Sequence, residues 1–153
     1  MVRVKLILFF SLTLVLYAGQ IEVSASHFYA DEKKGQNVLS GNVIVRHEKD
    51  ILRSAKLTIL TNENRKPTRY IASGKACFDI VLNGKNYKGS GGELVYIVAQ
   101  DTYEINGNAY IEELESGKKL FGDKIVANRK KNLYSITSKQ NQPARFVFDL
   151  EEK

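Results

Sequence analysis

Three short words recur in this chain at one fixed interval, and that interval constrains the fold more than any other feature. Ser40-Gly41-Asn42 precedes the apolar run Val43-Ile44-Val45. Ser73-Gly74-Lys75 precedes Ala76-Cys77-Phe78, and Asn106-Gly107-Asn108 precedes Ala109-Tyr110-Ile111. Gly41, Gly74 and Gly107 are 33 residues apart, twice over. A fixed period in this range marks one supersecondary unit repeated and stacked. The stretches after each glycine are rich in Val, Ile, Tyr and Phe, so each unit reads as strands. The expected product is a stack of β-layers around a continuous apolar interior. Such an interior suits carriage of a long apolar molecule better than catalysis.

The N-terminus reads as an export signal. Arg3 and Lys5 form a basic start, and Leu6 to Ala18 is an apolar run broken only by Ser11 and Thr13. Val23-Ser24-Ala25 offers small residues at the positions a signal peptidase inspects, so residues 1–25 are expected to be removed and 26–153 to form one β-domain. A retained membrane anchor is the rival; it needs about 20 apolar residues, and Glu22 closes this run early. Such a leader implies export. The net charge is +6, a sign that suits phosphates or acidic lipids but also serves plain solubility. Cys77 is the sole cysteine, so no internal disulfide forms, and with no base nearby it reads as a buried structural thiol.

Beyond the leader, alternation and turn residues predict nine strands, near Ser26–Ala30, Val38–His47, Ile51–Leu60, Arg69–Leu82, Tyr87–Val98, Thr102–Glu112, Lys119–Asn128, Leu133–Ser138 and Ala144–Asp149. Asn83-Gly84 is a two-residue hairpin signal. Alternation places Val43 with Val45, Leu57 with Ile59, Phe78 with Ile80 and Leu82, Tyr96 with Val98, Ala109 with Ile111, and Phe146 with Phe148, each set on one face. Several opposite faces are apolar too (Ile44, Val81, Val95, Ile97, Val126), more than a one-sided sheet buries.

The Gly-Asn-Val-Ile-Val run at 41–45, Gly-Asn-Ala-Tyr-Ile at 107–111, Gly-Asp-Lys-Ile at 122–125, Asn83-Gly84-Lys85 and Gly74-Lys75 together resemble the OstA-like repeats of the LptA family. Phe28-Tyr29-Ala30-Asp31 resembles that family's first strand. Its members serve lipopolysaccharide transport in the periplasm. The resemblance implies an all-β fold, a twisted open β-jellyroll of antiparallel strands whose two sheets form a V-shaped groove. It implies that lipopolysaccharide acyl chains lie in that groove and that copies stack head to tail. Jellyroll domains of inner-membrane (LptC-like) and outer-membrane (LptD-like) components would continue the bridge. It carries over no catalytic residue, metal or cofactor. The groove lining expected from it is Phe28, Phe78, Tyr96 and Val98 first, then Val43, Val45, Ile111, Ile125 and Phe146.

Other classes have less behind them. A nucleic-acid module fits the basic charge and the eight Tyr and seven Phe, but an export signal argues against it. A membrane-anchored partner of the same system would keep its N-terminal helix. A secreted scaffold would close the same strands on themselves and bind nothing. For an enzyme, His27 and His47 have no third ligand at a recognisable spacing. Gly89-Ser90-Gly91-Gly92 lacks the Lys-Ser/Thr and the helix of a phosphate loop, and so reads as a bulge or turn.

Overall fold

The computed structural model describes residues 21–139 and 141–150. The apolar run expected to act as a leader lies outside the described residues. Ten strands are present: β1 Ile21–Ser24, β2 His27–Asp31, β3 Gln36–His47, β4 Asp50–Thr61, β5 Pro67–Leu82, β6 Lys85–Ile97, β7 Thr102–Glu113, β8 Lys119–Asn128, β9 Leu133–Thr137 and β10 Arg145–Val147. All nine expected strands are among them. The tenth, β1, falls inside the segment expected to be removed. No helix among the described residues is long and apolar enough to cross a membrane.

The strands form one antiparallel sheet in which β3 to β8 follow chain order. Both edges divide in the same way. β1 pairs with Ile44–His47 of β3 while β2 pairs with its first half, Gln36–Ser40. At the far edge, β10 pairs with one half of β8 and β9 with the other.

The division follows from the repeated glycines. Gly41, Gly74 and Gly107 have φ of 81°, 80° and 79°, and the residues after them, Asn42, Lys75 and Asn108, stand at 48°, 50° and 47°. Two successive left-handed residues cannot stay in a pleated ladder. Each pair therefore opposes a single residue across the strand pair, and the register shifts there. This is a β-bulge, which bends a strand and sharpens its twist. The glycine words thus sit in mid-strand, within the strand bounds expected from the sequence, and bend the strands there. The period is the length of chain needed to run along one strand and back along the next. Register shifts at the same level join β4 to β5 and β6 to β7, so a crease crosses the sheet. Gly89-Ser90-Gly91-Gly92, read as a bulge or turn, lies at one of these shifts.

Residues in register share a face, which identifies the inner side of the crease. Leu57, Ala72, Leu94, Ile105 and Ile125 are successive partners on one half. Val45, Leu52 and Phe78 are successive partners on the other, continued by Ile111 and Leu120. These residues meet in two apolar clusters, one around Val43, Leu57, Ala72 and Ala76, the other around Ile105, Ala109 and Ile125. Small residues at the crease let the halves close. A methyl group on Gly91 would come within 2.6 Å of Ile105 Cγ2, and one on Gly122 within 2.6 Å of Ile136 Cγ2.

The outer faces differ. Outside Phe78 and its row, Asp79, Lys88, Glu112 and Lys119 follow one another in register, with Lys88 Nζ 3.8 Å and Arg53 Nη1 4.0 Å from the Asp79 carboxylate. Such exposed pairs add little stability. Cys77 lies on this side, half-buried; the core positions beside it belong to Ala76 and Phe78, which corrects the expectation of a buried thiol. Of the surplus apolar residues noted in the sequence, Val95, Ile97 and Val126 lie outside the other half, where Ile71 pairs with Val95, while Ile44 and Val81 lie outside the Phe78 half.

Two glycines test the crease. Gly74 combines φ of 80° with an added Cβ only 2.5 Å from Ala55 Cβ, whereas Gly84, in the hairpin turn with φ of 76°, has nothing within 4 Å. Gly74→Ala is expected to cost about 3 kcal/mol and Gly84→Ala about 1 kcal/mol, measured by urea unfolding. Equal costs would mean that the crease has no special packing.

Candidate functional site: an apolar cleft along the crease

The inner face forms a cleft whose base is sealed and whose walls open outward. At the crease, Val43 is 1%, Ala76 0% and Ala109 2% exposed. Further out along the same face Tyr103 is 42% exposed, and at the two edges of the sheet Phe28 is 50% and Phe146 63% exposed. Apolar side chains thus persist beyond the point where the fold alone can bury them. The physical contrast is between a packed floor and a wall held apolar against water.

Most of the expected lining residues meet on this face. Val43 and Ile125 belong to the sealed floor, where they are packing residues. Val45, Phe78 and Ile111 stand one step out and are partly buried against the two clusters. Phe78 lies across its register partner Gly89, where an added Cβ would come 2.2 Å from the ring. Gly89 therefore holds a seat for this ring. Phe28, on the edge strand β2, pairs with Leu39 and extends the inner row to one end of the sheet. Phe146 pairs with Leu120 and extends it at the other. Val98 stands apart: it follows the last residue of β6, in the turn to β7, 39% exposed. Its N–H donates to the Thr68 carbonyl at 3.0 Å, and its own carbonyl accepts from Asp101 N–H at 3.2 Å.

Tyr96 belongs to a set that sequence alternation did not find. Tyr70, Tyr96 and Tyr103 are successive register partners on β5, β6 and β7. Their rings stack, with centroids 6.3 Å apart for Tyr70–Tyr96 and 4.4 Å for Tyr96–Tyr103. Arg129 lies 5.9 Å from the centre of the Tyr103 ring, and its Nε is 3.7 Å from Asp101 Oδ2. Tyr96 donates its hydroxyl hydrogen to Asp101 Oδ1 at 3.1 Å. Alternation could place Tyr96 on a face, but only the register could join it to rings 26 and 7 residues away in sequence.

The electrostatics keep this wall neutral. Burial, and then the bond to Asp101, push the Tyr96 hydroxyl up to about 12, and burial raises Tyr70. Both hydroxyls therefore stay protonated at any physiological pH. Charge stands at the limits of both walls: the Arg129–Asp101 pair beside the tyrosine row, and on the other wall Lys85 Nζ, 3.2 Å from Glu113 Oε1. That hydrogen bond holds the Glu113 carboxyl below its ordinary range and Lys85 above its own. Among the described residues, no group of three or more His, Cys, Asp and Glu could hold a metal ion. His27 pairs with Ser40 and His47 with Asp50, in different parts of the sheet. The arrangement can shield apolar surface.

An open antiparallel β-jellyroll with such a cleft is a recognised architecture. The chain superposes on the crystal structure of LptH, the LptA homologous periplasmic component of the conserved lipopolysaccharide transport device from Pseudomonas aeruginosa, with a TM-score of 0.70. The two are 19% identical over 88% of this chain and 96% of that one, so this likeness speaks for the fold. The family model described as LptA/(LptD N-terminal domain) LPS transport protein matches residues 22–133, well over half of the chain. The protein therefore belongs to the LptA/LptD N-terminal domain family of lipopolysaccharide transport proteins. A search of curated proteins gave no match.

The neutral wall predicts an alkaline response. Tyr96 holds its proton to about pH 12 when folded, against an ordinary value of 10.0, and Tyr110 does so too because it donates to the Glu112 carboxylate. Stability from these groups is fully present below about pH 10 and falls as pH rises towards 12, since only the unfolded chain then loses the protons. In a tyrosinate absorbance titration, Tyr96→Phe and Tyr110→Phe are each expected to remove a late-titrating group. Loss of an early-titrating group instead would contradict the assignment.

Proposed function

We propose that this protein carries the acyl chains of lipopolysaccharide in the cleft and hands them along a bridge of jellyrolls built end to end through the periplasm. The observation that carries this reading is the gradient along the inner face, from a sealed floor at Val43 and Ala76 to half-exposed rings at Tyr103, Phe28 and Phe146. Family membership supplies the cargo class. Physical chemistry supplies the need: a tail of about a dozen carbons costs on the order of 10 kcal/mol to expose to water, at roughly 0.8 kcal/mol per methylene. A wall of aliphatic and neutral aromatic groups removes most of that penalty without gripping any one segment. Carriage asks for no catalysis. Lys33, Lys34, Lys130 and Lys131, exposed at hairpin turns, suit contact with lipid phosphates at the cleft mouth.

The ends of the sheet support assembly. Exposed large apolar residues gather at the two edges: Ile21, Phe28 and Tyr29 at one, and Leu133, Tyr134 and Phe146 at the other. Short edge strands offer unpaired N–H and C=O groups for addition of a further strand. In the proposed bridge, one edge of a copy pairs with the opposite edge of the next. The same geometry serves jellyroll partners at the inner and outer membranes.

The test is photo-crosslinking to purified lipopolysaccharide from a light-activated phenylalanine analogue at Phe78 or Tyr96, with Lys130 as control. Adducts at the two ring positions and none at Lys130 are the expected result. A folded protein with no adduct at any position would mean a closed interior. For assembly, sedimentation velocity over a concentration series is expected to show reversible self-association. Phe146→Asp is expected to weaken it by at least about tenfold, the size of effect seen when an apolar contact at an interface centre is lost.

A further inference from the structure

The word Val23-Ser24-Ala25 satisfies a signal peptidase, yet the chain just ahead of the implied cut is built into the sheet. We propose that the leader is removed ahead of Ile21 and that β1 is the first strand of the exported protein. This requires only export, so it stands or falls apart from the carrier reading.

Packing is the first argument. Val23 is the register partner of Val45 and packs against the buried cluster of Val43, Leu57, Ala72 and Ala76. A cut after Ala25 would strip an apolar side chain from the better-packed end of the core. It would also leave the backbone groups of Ile44–His47 without the partners that Ile21–Ser24 provide.

The joint between β1 and β2 is the second argument. Ser26 N–H donates to the Gly41 carbonyl at 2.9 Å, and an added Cβ at Gly41 would come 2.7 Å from Ser26 Cβ. The crease therefore runs on into this segment, and Gly41 has no room for a Cβ because Ser26 lies against it. Ser24, Ala25 and Ser26 are small and all three are exposed. Small residues also stand ahead of Ile21: Ala18 closes the apolar run and Gly19 follows it.

Symmetry and family supply the third argument. At the far edge, β9 and β10 cover β8 on both sides of the crease. β1 and β2 cover β3 in the same manner. Without β1 one edge would be covered on one half only. The family match begins at residue 22, so the family's domain includes most of β1 and the joint.

The full-length chain, expressed in a Gram-negative host, tests this through the intact mass and N-terminal sequence of the periplasmic product. A product beginning at Gly19, Gln20 or Ile21 is expected. A product beginning at Ser26, or an uncut chain, overturns the proposal. Ala25→Leu, at an exposed position, blocks a cut after residue 25 but not one upstream. This variant is expected to be processed at the normal rate, its mass changed by the substitution alone; accumulation of its precursor overturns the proposal. Val23→Asp is expected to leave processing intact while lowering the Tm of the product by about 5 °C. An unchanged Tm would remove the structural role of β1.

Discussion

The fold depends on a steric fact about two adjacent residues. A left-handed pair in mid-strand breaks the ladder for one residue and then lets it resume, turned. Glycine supplies the first position without a Cβ penalty, and Asn42, Lys75 and Asn108 accept the second. Placed once in every other strand at equal spacing, the pair falls at one level of the sheet and turns local kinks into a crease. The sealed floor, the opening walls and the divided edges all follow from that line. The small residues along it answer a second demand, because side chains of one half must pass over the backbone of the other.

This division of labour explains where the apolar residues go. Burial beside the crease is worth about 25 cal/mol per Å² and holds the halves together through Leu57, Ala72 and Ile105. Farther out the walls diverge, and the same kind of residue is left half in water. A protein under selection for stability alone would place polar groups there. Tyrosine is a partial answer: its ring is apolar, its hydroxyl tolerates water, and neighbouring rings in register shield each other. The Tyr70–Tyr96–Tyr103 row thus offers apolar area at modest cost in solubility. The charged ladder around Asp79 and Lys88 keeps the outer face of the other half, behind Phe78, wet.

Much of the architecture was legible in the sequence, because it is written in local signals. Alternation located nine strands, Asn83-Gly84 located a hairpin, and the glycine period located the repeat. The inward orientation of Val43, Val45, Phe78, Ile111 and Ile125 followed from parity within each strand. What parity cannot give is register, since it depends on how far each bulge shifts one strand against the next. The tyrosine row and the seat of Phe78 on Gly89 both rest on register. Val98 shows a related limit: it keeps the parity of Tyr96 but lies past the last ladder residue. β1 was missed for a different reason. Its residues carry two signals at once, and the protease signal was read before the strand signal.

The equal spacing of the bent strands makes the cleft a ruled object. Strands lie about 4.8 Å apart, so each 33-residue period lengthens the trough by roughly 10 Å. The inner row from Phe28 to Ile136 crosses eight strands, a run of about 34 Å at that spacing. Duplication or loss of one period would change the trough's length by a fixed step. The angle of its walls, the floor and both ends would stay as they are. Reach along the cargo and shape around it are therefore inherited separately, the one by counting periods and the other by the residues within each.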